Sequence, residues 1–284
     1  LRNQRGDRAA LVFAIARRAG EDACLVRVAP LARVPAKSPP DPDDWHIELV
    51  RIRQAQGDLW FDPAIEGGLL DHVRPALRGR EGLLVGCAAD SPTIVVPPLG
   101  EGRDRRQITV RLRWTATGEV EGTVTEVLQG MLAGVVRRWA TDAKEQSRAE
   151  LVRNLGGQAL ANLTLDWQGA VGLEGAPETP LTVTYRVSGR PGQAFDLTLF
   201  AESLGQTYGS LVDRRSPLLF ASALDVAVDL EVSSDLPLAP RNWPEITLSH
   251  PQLDYHRQVR VEANTVRASR RLRTRPGIVA PADY

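Results

Sequence analysis

One histidine and one aspartate stand at a spacing that could do chemistry. His46 opens the alternating run HIELVRIRQ (46–54), and Asp62 follows the short run DLWF (58–61). With Gln56-Gly57 near the turn, these runs predict a hairpin that brings His46 and Asp62 together. A carboxylate beside an imidazole fixes its tautomer and stabilises its protonated form, as systems that activate a nucleophile require. Such pairs are more often structural than catalytic, so spacing alone does not assign the role.

A nucleophile is harder to place. The chain has two cysteines, too few for a disulfide framework or a cysteine-based zinc site. Cys24, between Ala23 and Leu25 in a predicted strand, reads as a free, small, buried hydrophobe rather than a nucleophile, and Cys87 in VGCAADS is a weaker nucleophile candidate still. His72, His250 and His256 lack metal-ligand spacing, and there is no glycine-rich phosphate loop. No cofactor or metal is therefore expected.

The elements that must position the pair can be read around it. Residues 8–19 (RAALVFAIARRA) are apolar on most sides, which predicts a buried helix ended by Gly20. ACLVRVA (23–29) predicts a strand, and residues 30–44, rich in proline and aspartate, a loop. Residues 65–80 read as a surface connection. From about residue 82 strand-like runs recur: LLVGC, TIVV, ITVRLRW, EVEGTVTEV, then LANLTLDW, LTVTYRV, FDLTLF, ALDVAVDLEV, EITLS, QVRVEA and TVRASRRLRT. Many alternate apolar and polar residues, as half-buried antiparallel strands do. One helical stretch interrupts them at about 131–154. The fold class is α+β, with residues 1–85 as one domain and 86–284 as a β-rich, sandwich-like domain carrying a helical insertion.

The chain has 284 residues, 43% of them hydrophobic and 25% charged, the composition of a globular protein. Thirty-five basic residues balance 35 acidic ones, which argues against nucleic acid or an anionic membrane as the main partner. No apolar run is long enough to span a bilayer as a helix. Arg267, Arg270, Arg271, Arg273 and Arg275 make one strand basic, but without interleaved aromatics they read as a solvated face. Arg5-Gly6-Asp7 is an RGD tripeptide at a helix start, and Asn162-Leu163-Thr164 a glycosylation sequon in form only.

A resemblance sharpens the reading. Trp45-His46, Trp60-Phe61-Asp62-Pro63 and Gly79-Arg80 through Leu83-Leu84-Val85 occur in the order and spacing that end a bacterial transglutaminase-like core. There a catalytic His is followed by a catalytic Asp in a Trp-hydrophobic-Asp-Pro motif. The start is similar too. The family's nucleophile motif, Cys-x-Asp-Lys-Ala-x-Leu, sits fifteen residues before a glycine. Counting back from Gly20 gives Arg5-Gly6-Asp7-Arg8-Ala9-Ala10-Leu11. Asp7, Ala9 and Leu11 agree, Arg8 replaces the lysine, and Arg5 stands where the nucleophilic cysteine would be. Gly118-Glu-Val-Glu-Gly122, Pro180-Leu-Thr-Val-Thr-Tyr185, Arg215-Ser-Pro-Leu218 and Ala280-Pro-Ala-Asp-Tyr284 loosely resemble the β domains of unknown function that flank this core in large bacterial envelope proteins.

The resemblance implies the back part of a papain-like core whose triad retains His46 and Asp62 but has lost its nucleophile. Arginine has no nucleophilic atom, and at a helix N-terminus its charge opposes the macrodipole, so Arg5 needs a carboxylate such as Asp62 or Asp7. The implied function is a non-catalytic scaffold or protein- or peptide-binding module. The implied setting is the cell envelope or periplasm. The implied partners are the missing N-terminal part of the same protein or a partner chain, and other proteins. The alternatives are a cysteine-type acyltransferase or peptidase of this superfamily, and a hydrolase using His46 and Asp62 with a metal or water.

Overall fold

The computed structural model describes residues 7–29, 45, 47–65, 70–74, 77–88, 91–97, 104–142, 145–156, 160, 162–176, 178–191, 218–220, 223–238 and 243–283. The predicted run 195–200, His46 and Arg5 lie outside them. The chain divides into two compact units, Leu1–Gly100 and Glu101–Tyr284. Both are dominated by strands.

The first unit begins with helix α1 (Arg8–Arg18). Asp7 is its N-cap, accepting from the Ala10 backbone N–H at 2.8 Å. Arg17 and Arg18 in its last turn suit the negative end of the helix dipole. Strands β1 (Asp22–Val28), β2 (Ile47–Arg53), β3 (Leu59–Phe61), β4 (Glu81–Val85) and β5 (Thr93–Val95) follow. They form one antiparallel sheet in the order β3-β2-β1-β4-β5. The β2–β3 turn bends at Gly57, whose φ of +127° favours glycine. Since β5 continues this sheet, the first unit reaches beyond residue 85.

The sheet has two covered faces. Val50, Leu25, Ile52 and Phe61 pack with Ala9, Val12 and Phe13 of α1. Val26, Val28, Leu49 and Trp60 pack with Val73, Leu77 and Val96 on the other side. The all-round burial expected of residues 8–19 is not observed. Only Ala9 and Ala16 are buried, while Leu11 and Ile15 are 52% and 59% exposed. One stripe of α1 is enough to cover the sheet, and its alanine-rich composition masked which side that was.

The second unit is built on an eight-stranded sheet. Its strands are β6 (Asp104–Trp114), β7 (Val120–Gln129), β8 (Thr164–Val171), β9 (Leu181–Gly189), β11 (Leu224–Ser234), β12 (Ile246–His250), β13 (Leu253–Glu262) and β14 (Thr265–Thr274). The order is β12-β13-β14-β11-β6-β7-β9-β8, antiparallel throughout except for the β11–β6 pair. Two short strands, β10 (Leu218–Phe220) and β15 (Gly277–Val279), pair separately. The helical stretch is two helices, α2 (Met131–Asp142) and α3 (Glu145–Gly156), lying against β6, β7 and β8. The layer that packs on the sheet is thus helical, where a sandwich would put a second sheet. Alternation shows that one face is buried, not what buries it.

Val110, Val124, Leu128, Val183, Tyr185 and Val187 face Ala133, Val136, Leu151, Val152 and Leu155 of the helices. A polar cluster is buried within this core. The Tyr185 hydroxyl donates to Glu126 at 2.8 Å, and Arg106 Nε donates to the same carboxylate at 2.8 Å and, through Nη2, to the Leu155 carbonyl at 2.7 Å. Burial, with Glu126 beside it, pushes the Tyr185 hydroxyl well above its ordinary pKa. The opposite sheet face is hydrophilic. On it Arg271 and Arg273 meet Asp225, and Arg267 meets Glu231 and Glu262. The basic strand is thus largely neutralised by acidic neighbours.

Candidate functional site

Asp62 ends β3, and local sequence explains how it is held. Trp60 and Phe61 point to opposite sides of the sheet and anchor the strand in both core clusters. Pro63 cannot extend the ladder, so the chain turns: Asp62 Oδ1 accepts from the Ala64 N–H at 3.0 Å, and its carbonyl accepts from the Ile65 N–H at 3.1 Å. The chain then returns alongside β3. Asp71, at a φ of +63°, donates its backbone N–H to the Trp60 carbonyl, and His72 bridges to Phe61. Aspartate is among the residues that tolerate this left-handed conformation.

This return places Arg74 on Asp62. Asp62 Oδ2 accepts from the Arg74 backbone N–H at 3.0 Å and from its Nε at 2.7 Å. The Asp62 side chain is fully buried, whereas that of Arg74 is 37% exposed. Three of the roughly four acceptor positions of a carboxylate are thereby occupied. His72 is buried beside it, with Nδ1 3.2 Å from the Leu70 carbonyl oxygen. Arg78 is buried and donates to the Val73 carbonyl at 2.7 Å. Arg80 donates to the Ala29 carbonyl at 3.1 Å, and burial lowers its pKa.

Asp62 is thus an anchored carboxylate at the strand end where the sequence places it. His46, which precedes β2, and Arg5 are outside the described residues. Among the described residues the guanidinium on Asp62 is that of Arg74. Asp7, the other carboxylate considered for Arg5, caps α1. Arg74 was not singled out in the sequence: it lies in the connection 65–80, where neither periodicity nor motif marks it. No group of three or more potential metal ligands occurs among the described residues.

The cysteines correct the sequence reading. Cys24 and Cys87 are not free but form a disulfide, with Cα atoms 5.3 Å apart across 63 residues of sequence. The cause is topological. β1 and β4 are adjacent and antiparallel, with Leu25 opposite Val85, and Cys87, just past the bend at Gly86 (φ of +77°), reaches Cys24 where the pairing ends.

No family model matches the chain, and no curated protein matches it. One solved structure, provisionally described as a protease from Parabacteroides distasonis, is similar at a TM-score of 0.48 and 11% identity. The match covers 97% of this chain and 38% of that one, so the chain spans well under half the length of that protein.

Proposed function

We propose that this chain is a non-catalytic module of a transglutaminase-like protein of the bacterial envelope, whose first unit derives from a papain-like core and serves protein or peptide binding. The observation that carries this reading is the Cys24–Cys87 disulfide. The chain has two cysteines and both are in it, so no thiol is available as a nucleophile. Asp62 supports it further, because its carboxylate is held by Arg74 and the Ala64 N–H. A helix laid on an antiparallel sheet, with an aspartate at a strand end, is compatible with the papain-like derivation.

The disulfide also supports the envelope setting, since such bonds persist in oxidising compartments. Among the described residues no helix is long and apolar enough to cross a membrane. The expected partners are the rest of the same protein, a partner chain, and other proteins.

The test is an acyl-transfer and peptidase assay on the oxidised chain, with alkylation of free thiols measured in parallel. The proposal expects neither activity nor labelling. Activity that is abolished by His46→Ala would overturn it in favour of the acyltransferase or peptidase alternative.

A further inference from the structure

The hydrophilic face of the second unit's sheet contains a groove of about 440 Å³ lined by Arg111, Thr123, Arg186, Gln168, Glu121 and Glu231, among others. Its centre follows from strand register. Arg111 on β6 lies opposite Thr123 on β7, which lies opposite Arg186 on β9. The three residues form a row across adjacent strands, and at the usual strand spacing the arginine Cα atoms stand about 10 Å apart. β7 lies close against β6 at Gly122, where a Cβ would come within 2.0 Å of the Arg111 carbonyl oxygen.

Several arginines of this face already hold a carboxylate. Arg113 binds Asp235 and lies 4.0 Å from Glu121, Arg267 binds Glu231, and Arg271 binds Asp225. The two glutamates that line the groove are therefore each served by another arginine. Arg111 and Arg186 differ. Arg111 donates only to the Val110 carbonyl, at 3.2 Å, and among the described residues neither it nor Arg186 pairs with a carboxylate. Asp166, opposite Arg186 on β8, forms no ion pair with it. Two guanidinium groups thus flank a threonine hydroxyl, neither of them holding a carboxylate among the described residues.

We propose that the Arg111–Thr123–Arg186 row is a binding site for a phosphate group. A phosphate monoester carries about −1.5 to −2 charges at pH 7 and three acceptor oxygens. That suits two guanidinium forks and a hydroxyl, whereas a single carboxylate would leave one fork unmatched. The groove is open, so the rest of the ligand extends into solvent. A soluble phosphate ester and a lipid headgroup share this chemistry.

Titration of the whole chain with inorganic phosphate, followed by the backbone amide resonances at constant ionic strength, tests the proposal. Saturable shifts should centre on Arg111, Thr123 and Arg186, and acetate should bind more weakly. Arg111→Gln and Arg186→Gln should each weaken phosphate binding about tenfold, the worth of a charge-assisted hydrogen bond. Arg271→Gln, on the same face but paired with Asp225, should leave it unchanged. Flotation with vesicles containing phosphatidic acid assigns the source: Arg111-dependent capture means a headgroup, and phosphate binding without capture means a soluble ester. Equal binding of acetate, or phosphate binding that survives the Arg111→Gln, Arg186→Gln double variant, would overturn the site.

Discussion

Asp62 and Arg74 are joined twice through one oxygen: Asp62 Oδ2 receives both the backbone N–H and the Nε–H of Arg74, at 3.0 and 2.7 Å. The carboxylate is fully buried and the guanidinium partly exposed, so the pair sits between the exposed and buried regimes of ion pairing. Exposed pairs contribute little, whereas breaking a buried one strands a desolvated charge. Arg74→Met should therefore lower unfolding stability by about 2 kcal/mol, the worth of a hydrogen bond to a charged group plus partial loss of the countercharge. Asp62→Asn should cost a similar amount, and the double variant less than the sum of the two. Additive losses in urea unfolding would show that the two residues act independently.

The disulfide sets a second expectation. It closes a loop across 63 residues, and chain-entropy reasoning puts its contribution at about 4 kcal/mol. The paired substitution Cys24→Ala, Cys87→Ala should lower the stability of the first unit by that order. Mild reductant should do the same to the unmodified chain and make two thiols reactive. Because Cys87 is partly exposed while Cys24 is buried, labelling in the reduced but folded state should favour Cys87.

How legible was this fold? Strands with clean alternation, such as Leu224–Ser234 and the ITVRLRW part of β6 (108–114), can be read directly, because apolar residues recur on one face over that length, whereas the inward Asp104 and Arg106 at the start of β6 break the pattern. The three-residue strands β10 and β15 are too short to carry a period, so nothing in the sequence marks them. The disulfide was illegible for a different reason: it depends on β1 pairing with β4, a non-consecutive neighbour, and cysteine spacing contains no sheet order. At the candidate site, Asp62 was marked by Trp60 and Pro63 around it. Arg74 was not, because its role depends on where His72 bridges to Phe61, a contact that no local pattern announces.

The buried Arg106–Glu126–Tyr185 cluster predicts a pH response. The pKa of Tyr185 is raised in the folded chain, so its phenol stays protonated after that of the unfolded chain begins to ionise. The unfolded state then binds fewer protons, and stability falls as pH rises above about 10. Its contribution is complete below that pH and is lost at about 1.4 kcal/mol per pH unit above it. Comparing denaturant midpoints of the native chain and Tyr185→Phe between pH 8 and 11 isolates the term, since the other tyrosines cancel. A difference between the two that does not change with pH would show that Tyr185 is solvated.

The last expectation concerns the position where the transglutaminase-like resemblance puts a nucleophile. Arg5 precedes the Asp7 cap of α1, and a helix N-terminus favours a thiolate over a thiol. If His46 and Asp62 are the remnants of a triad, Arg5→Cys should give a thiol that is alkylated near neutral pH at a stoichiometry of one per chain, the disulfide leaving no other thiol. His46→Ala in that background should raise the thiol's pKa, seen as a shift of the alkylation rate profile to higher pH. Asp62→Asn should act more weakly, because Arg74 already holds that carboxylate. A cysteine at position 5 that alkylates only as fast as free cysteine, with a pH profile indifferent to His46, would separate the two positions and remove the triad derivation.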